Sequence, residues 1–415
     1  MPLFSPEGGS APPERESFTR EERRLVALLA ACAFLGLVNF VAISPFLPEI
    51  AASFGSTVPL VGQVTTVLAL ASAALGLVSG PLADVRGHRR LLLVGIAAVA
   101  LNLAGTAFAP SLPALLALAV VAAVGDSLLF GLPYAVVGER FSGDLRRRAV
   151  AWVSAGLSLG VVVAPPLLAM VGKVVGWRGA MLVAAAATLA VLVPAARLLP
   201  VDPPASGTLD LRALADAYRP LLGSRPATGL LTAVGLRAVG MIGPFVFFGA
   251  FVAERLEGGP DLVATAYLVL GLGVLGGDLL SANLPGHWPL RPLAATTIAG
   301  SSLLFGAFLG GELPLPTALA LVAAAGFVSS VAAIALTTLL TQWTPAGTGT
   351  TMVLSGSLLN LGTAVGAAAG GAAIALGGYP ALGALVPLVT VPAALLVLWA
   401  TSRQPQPVGA VAAAD

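Results

Sequence analysis

Apolar stretches of about twenty residues, separated by short polar segments, repeat along the whole chain. A helix needs about 20 apolar residues to cross a bilayer core. Runs such as Leu91–Leu101 lack the alternation of apolar and polar residues expected of a membrane β-strand. The pattern therefore predicts an all-α polytopic membrane protein with twelve transmembrane helices. These are expected near residues 25–47, 58–80, 90–109, 112–138, 149–172, 178–200, 226–253, 262–284, 291–310, 315–340, 348–376 and 380–401.

Composition supports a membrane protein. Hydrophobic residues make up 57% of the chain and charged residues only 10%, whereas soluble domains carry about 25% charged residues. A net charge of +2 does not predict nucleic-acid binding. The single cysteine, Cys32, excludes a disulfide within the chain and lies in the first apolar stretch.

Arginines mark one side of the membrane. They cluster in the N-terminal tail and in alternate loops, for example at Arg86, Arg89 and Arg90. Because loops that carry positive charge stay on the cytoplasmic side, both termini are expected in the cytoplasm. Arginine strongly outnumbers lysine, which favours a GC-rich bacterial source. We therefore expect a multi-pass protein of the bacterial cell (inner) membrane.

The chain divides into two groups of six predicted helices. The expected parts are an N-terminal tail (1–24), a first bundle (25–200), a central cytoplasmic linker (201–225), a second bundle (226–402) and a C-terminal tail (403–415). A shift of 202 residues places Gly160 on Gly362, and Gly176-Trp177 on Gly378-Tyr379. This self-similarity predicts duplicated, pseudo-symmetric bundles, although chance matches in a Gly-rich chain are the alternative. Such repeats are typical of transporters with a substrate site at mid-membrane.

The loop after the second predicted helix resembles the signature of the major facilitator superfamily. That signature has a glycine, then an aspartate, then a glycine followed by basic residues, and it matches here at Gly80, Asp84, Gly87, Arg89 and Arg90. In the family this loop latches the two halves on the cytoplasmic side. The family's basic residue directly after the aspartate is replaced by Val85, and Arg86 follows one position later. A plain positively charged loop is the alternative interpretation.

Further resemblance lies in the first and fifth helices. Asn39 belongs to a segment similar to the family's first-helix pattern, and Gly156, Gly160 and Pro165 resemble a motif of exporters that exchange substrate for protons. Ala164 stands where that motif has a glycine before the proline. The chain is most similar to bacterial drug:proton antiporter-like and sugar-efflux-like members. A packing role for these glycines, and for the stripe Gly362, Gly366 and Gly370 in the eleventh helix, is as well supported as a gating role.

Charged residues inside predicted spans are costly and are therefore functional candidates. Asp126, Arg237 and Asp278 lie in the fourth, seventh and eighth spans. Burial disfavours the charged form of Asp126, so its carboxyl group could exchange a proton near neutral pH; a buried hydrogen-bonding role is the alternative. Arg237 stays charged and should be paired or face a wet cavity. Asn39 is a further candidate for proton coupling or substrate binding.

These features together predict a secondary active transporter that works by alternating access. We expect proton-coupled efflux of small apolar or cationic compounds by a monomer in the lipid bilayer, with a small-molecule substrate and protons as the coupling ion. Sugar or metabolite transport is the alternative, and a non-transporting membrane enzyme or scaffold is a remote one. No metal, cofactor, enzymatic activity or nucleic-acid partner is expected, since the only histidines are His88 and His287 and no phosphate-binding loop is present.

Overall fold

A computed structural model describes residues 18–199, 211–282 and 288–402. Within these residues, ten helices are long and apolar enough to cross a membrane. Two of them are 51 residues long, about 76 Å if straight and thus more than twice the thickness of a bilayer core. Each of these two changes direction at a glycine, Gly176 in one and Gly378 in the other. The described chain therefore contains twelve transmembrane helices, as the sequence predicts.

We number these helices α1 to α12. They are α1 (Arg20–Val41, continued by Ser44–Phe46 and Leu47–Ser53), α2 (Val58–Arg86), α3 (His88–Phe108), α4 (Leu112–Arg140), α5 (143–175), α6 (177–198), α7 (Arg225–Arg237, Ala238–Ile242, Gly243–Phe245 and Phe248–Arg255), α8 (Pro260–Ala282), α9 (Leu290–Gly310), α10 (Leu315–Thr341), α11 (348–376) and α12 (379–400). A further helix, Leu211–Gly223, precedes α7.

Two helices are less regular than expected. The predicted span 25–47 is interrupted, because the first part of α1 ends at Val41. Two short helical segments follow, and Pro45 and Pro48 are their second residues. Proline lacks the N–H needed to continue a helix and is best tolerated in its first turn. Helix α7 contains a π-helical turn, Ala238–Ile242, and restarts at Phe248.

The two halves repeat one structural plan at the predicted offset of 202 residues. Gly176 has φ 70° and ψ 170°, and Gly378 has φ 65° and ψ −164°, a region of backbone space that essentially only glycine occupies. The Arg89 guanidinium at the start of α3 donates to the Ala196 carbonyl of α6 (2.5 Å). Arg291 in α9 donates to the Leu398 carbonyl of α12 (2.7 Å), again 202 residues further on. These equivalent contacts support two pseudo-symmetric bundles.

The halves meet most tightly at one end, which we call the sealed end. There the Ser44 hydroxyl of α1 donates to the Val246 carbonyl of α7 (2.9 Å) and lies 2.5 Å from the Tyr267 hydroxyl of α8. Lys173 of α5 forms an ion pair with Asp261 of α8 (2.6 Å). Side chains from both halves therefore join in one contact region.

The opposite end carries the arginine-rich loops and is packed differently. One cluster of buried apolar residues runs through the first half and across the sealed end into the second half, whereas a separate cluster fills the other end of the second half. Near this open end, a Cβ atom at Gly80 of α2 or Gly356 of α11 would meet no described atom within 4 Å. The hydrogen bonds and the ion pair of the sealed end therefore form one contact region between the halves.

The outer surface is apolar. Phe108 is 75% exposed and Leu376 is 90% exposed, in company with other exposed Leu and Val side chains. Exposed apolar patches of this extent would be costly in water. The lipid bilayer is their natural surrounding.

Candidate functional site

Asp126 lies at the middle of α4 and is fully buried. Neither of its carboxyl oxygens has a hydrogen-bond partner among the described residues. The Ser72 hydroxyl of α2 is likewise buried without a hydrogen-bond partner among the described residues. A buried carboxyl group without partners is costly as an anion, so its surroundings favour the neutral, protonated form.

A small cavity inside the first half is lined mainly by apolar residues, with Asn39 and Asn102 among its polar ones. The Asn39 amide of α1 donates to the Ala122 carbonyl of α4 (3.0 Å) and accepts from the Asn102 amide of α3 (3.0 Å). The cavity has a volume of about 20 Å³, which is enough for about one water molecule. Asp126 is one turn beyond Ala122 on α4. Asn39 and Asp126 thus belong to one polar region of the first bundle.

Arg237 lies in the second half and is only 7% exposed. Its Nη2 donates to the carbonyl oxygen (2.9 Å) and to the hydroxyl oxygen (2.8 Å) of Ser329 in α10, while Nε is buried without an acceptor. It forms no ion pair with Asp126 or Asp278. Arg237 therefore retains a charge that no described carboxylate neutralises.

Asp278 connects the two halves. Its Oδ2 accepts a hydrogen bond from the Ser158 hydroxyl of α5 (3.1 Å), and its Oδ1 accepts one from the Ser330 hydroxyl of α10. Ser330 follows Ser329 in α10. Ser329 therefore binds Arg237 and its neighbour Ser330 binds Asp278, so that the two charged residues do not contact each other. The sequence does not predict the partners Ser158, Ser329 and Ser330, since serine is common in apolar spans and carries no distinctive signal.

In the predicted gating loop, His88 and Arg89 contact other residues of the first half. Gly87 has φ 92° between α2 and α3, which a residue other than glycine rarely adopts. His88 lies 3.5 Å from the Glu139 carboxylate, and Arg89 contacts α6 as described above. Arg86 and Arg90 are exposed, and the Asp84 side chain lies outside the described residues. The proposed latch between the halves stays a prediction.

The glycines of α5 pack against α1. A Cβ at Gly156 would overlap the Ala30 carbonyl, and one at Gly160 would lie 2.8 Å from Leu37. Pro165 is buried one turn further on. In the described ranges, no group of three or more His, Cys, Asp or Glu residues is placed to hold a metal ion; His287 lies outside these ranges.

Comparisons with known proteins find relatives of this chain among bacterial membrane proteins. A probable transporter of Streptomyces coelicolor is 32% identical over 180 residues, covering 43% of this chain and 42% of the relative. A chloramphenicol resistance protein of Streptomyces lividans is 28% identical over 282 residues, covering 67% of this chain and 69% of the relative. The chain spans about half the length of the first curated relatives that it matches.

Solved structures show the same fold. The nucleoside transporter NupG superposes with a TM-score of 0.72 at 14% identity, over 91% of this chain and 99% of that one. The family model of the Major Facilitator Superfamily matches residues 29–310, which is more than half of the chain. This protein therefore belongs to the major facilitator superfamily.

Proposed function

We propose that this protein exports small apolar compounds across the bacterial inner membrane in exchange for protons. The observation that carries the proposal is Asp126, a fully buried mid-membrane carboxyl group without a hydrogen-bond partner among the described residues. Such a group can hold a proton in one conformation and release it in another, when its surroundings change. The similarity to a chloramphenicol resistance protein supports efflux of an apolar compound.

The first test measures the accumulation of dyes and toxic compounds in a bacterial strain that lacks its own pumps. We expect the wild-type protein to lower accumulation of at least one compound, and an uncoupler of the proton gradient to abolish this effect. Asp126→Asn cannot release a proton and should lose the effect. Asp216→Asn is the matched control, because Asp216 is exposed and pairs with the exposed Arg219 (3.4 Å).

Two outcomes would contradict the proposal. Equal export by the wild type and by Asp126→Asn, at matched membrane expression, would assign Asp126 a structural role. If no compound responded to either protein, the second candidate, transport of a sugar or other metabolite, would lead. The hydrogen-bonded pair Asn39 and Asn102 inside the first half supports that second candidate, because amide groups can bind the hydroxyl groups of a sugar.

A further inference from the structure

We infer that Arg237 is a binding site for an acidic group, such as a carboxylate, on the transported compound. The inference rests on the proposed export function and narrows its substrate class to small apolar compounds that carry one acidic group. Three features of the second half support it: an uncompensated charge, free hydrogen-bond donors and a position at mid-membrane.

The first feature is the uncompensated charge. Arginine does not lose its proton in proteins, and a charged residue within a membrane normally pairs with an opposite charge or faces water. Asp278 is bonded to Ser330, the neighbour of Ser329, yet its two oxygens accept hydrogen bonds from Ser158 and Ser330 and not from Arg237. Ser329 is neutral, so the hydrogen bonds that it accepts from Arg237 leave the positive charge in place.

The second feature is the set of donors that remain. A guanidinium group has five N–H donors, and the two bonds to Ser329 use Nη2 alone. Nε and Nη1 have no acceptor among the described residues, and Nε is fully buried. Ser329 thus fixes the orientation of the guanidinium group while other donors stay available. Such fixed donors bind carboxylates through charge-assisted hydrogen bonds.

The third feature is the position. Arg237 lies near the middle of α7, and Ser329 lies near the middle of α10. Transporters built from repeated bundles place their substrate sites at this depth. Directly after Arg237, α7 changes to the π-helical turn Ala238–Ile242, and π turns occur frequently at functional sites. A substrate with an acidic group would supply the missing negative charge.

The experiment measures binding to the purified protein in detergent, without any gradient. The probes are benzoate, salicylate and 1-naphthoate, each compared with its neutral amide by calorimetry or thermal shift. For the wild type, we expect at least one acid to bind about tenfold or more tightly than its amide, as hydrogen bonds to charged groups imply. Arg237→Gln should remove this preference without changing amide binding. Arg291→Gln, which alters an arginine at the membrane edge, is the matched control and should retain the preference.

Equal binding of every acid and its amide by the wild type would overturn the inference, as would an acid preference that persists in Arg237→Gln. Arg237→Lys keeps the charge but loses the planar guanidinium donors. If Arg237→Gln does not fold, the same binding measurement is made on Arg237→Lys. We then expect the preference for the acid over its amide to be smaller than in the wild type, and an unchanged preference would overturn the inference. An Arg237-dependent acid preference without proton-driven export would instead reject the proposed function and leave the binding site standing.

Discussion

At the residue scale, the turns at Gly176 and Gly378 depend on a backbone conformation that other residues avoid. A Cβ at Gly176 would meet no described atom within 4 Å, so any cost of Gly176→Ala comes from the backbone alone. We expect Gly176→Ala to destabilise the protein by about 1–3 kcal/mol, seen as a lower Tm in detergent. Gly131→Ala is the control, because Gly131 is helical and also faces open space. A Tm for Gly176→Ala equal to that of Gly131→Ala would contradict this account.

Single residues also show how far sequence reasoning reaches. Asp126, Arg237 and Asp278 could be singled out because a charge in an apolar span is rare and costly. Their partners could not be predicted: Ser158 and Asp278 are 120 residues apart and meet only through the packing of α5 on α8. That Asp126 lacks a hydrogen-bond partner likewise depends on how α4 packs against its neighbours, which the sequence does not reveal.

At the element scale, the glycine stripe of α11 allows close packing against α7. A Cβ at Gly366 would overlap the Val239 carbonyl of α7, whereas one at Gly356 would meet no described atom within 4 Å. Backbone atoms cannot move aside as a flexible side chain can, so Gly366→Ala should destabilise the protein by about 1–3 kcal/mol. Gly356→Ala should have little effect. We would compare the Tm and the transport rate of the two variants, and equal behaviour would show that the stripe is not a packing surface.

The helices themselves are well predicted, because their apolar lengths match the bilayer and their borders coincide with charges, glycines and prolines. Helices α1 and α7 are the exceptions, since hydropathy does not reveal a break within an apolar run. The restart at Phe248 and the π turn at Ala238–Ile242 depend on how α7 packs against its neighbours.

At the scale of the whole molecule, the duplicated bundles could be predicted from the offset of 202 residues, but the end at which they close could not. In the proposed alternating-access cycle one sequence serves both states, so its residues are compatible with either end being closed. In that cycle, the sealed end, held by Ser44, Tyr267 and the Lys173–Asp261 ion pair, belongs to one of the two states.

Fixing the sealed end should therefore stop transport. We would replace Lys173 and Asp261 by cysteine in a Cys32→Ala background and join them with a short, reducible bifunctional thiol reagent. Transport should be lost on cross-linking and restored on reduction, because the halves can no longer part at this end. The control joins Arg255 to Glu312, an ion pair of the same surface (3.4 Å) that lies wholly within the second half; cross-linking it should leave transport nearly unchanged. Equal rates in both cross-linked proteins would mean that the halves do not separate at the sealed end during the cycle.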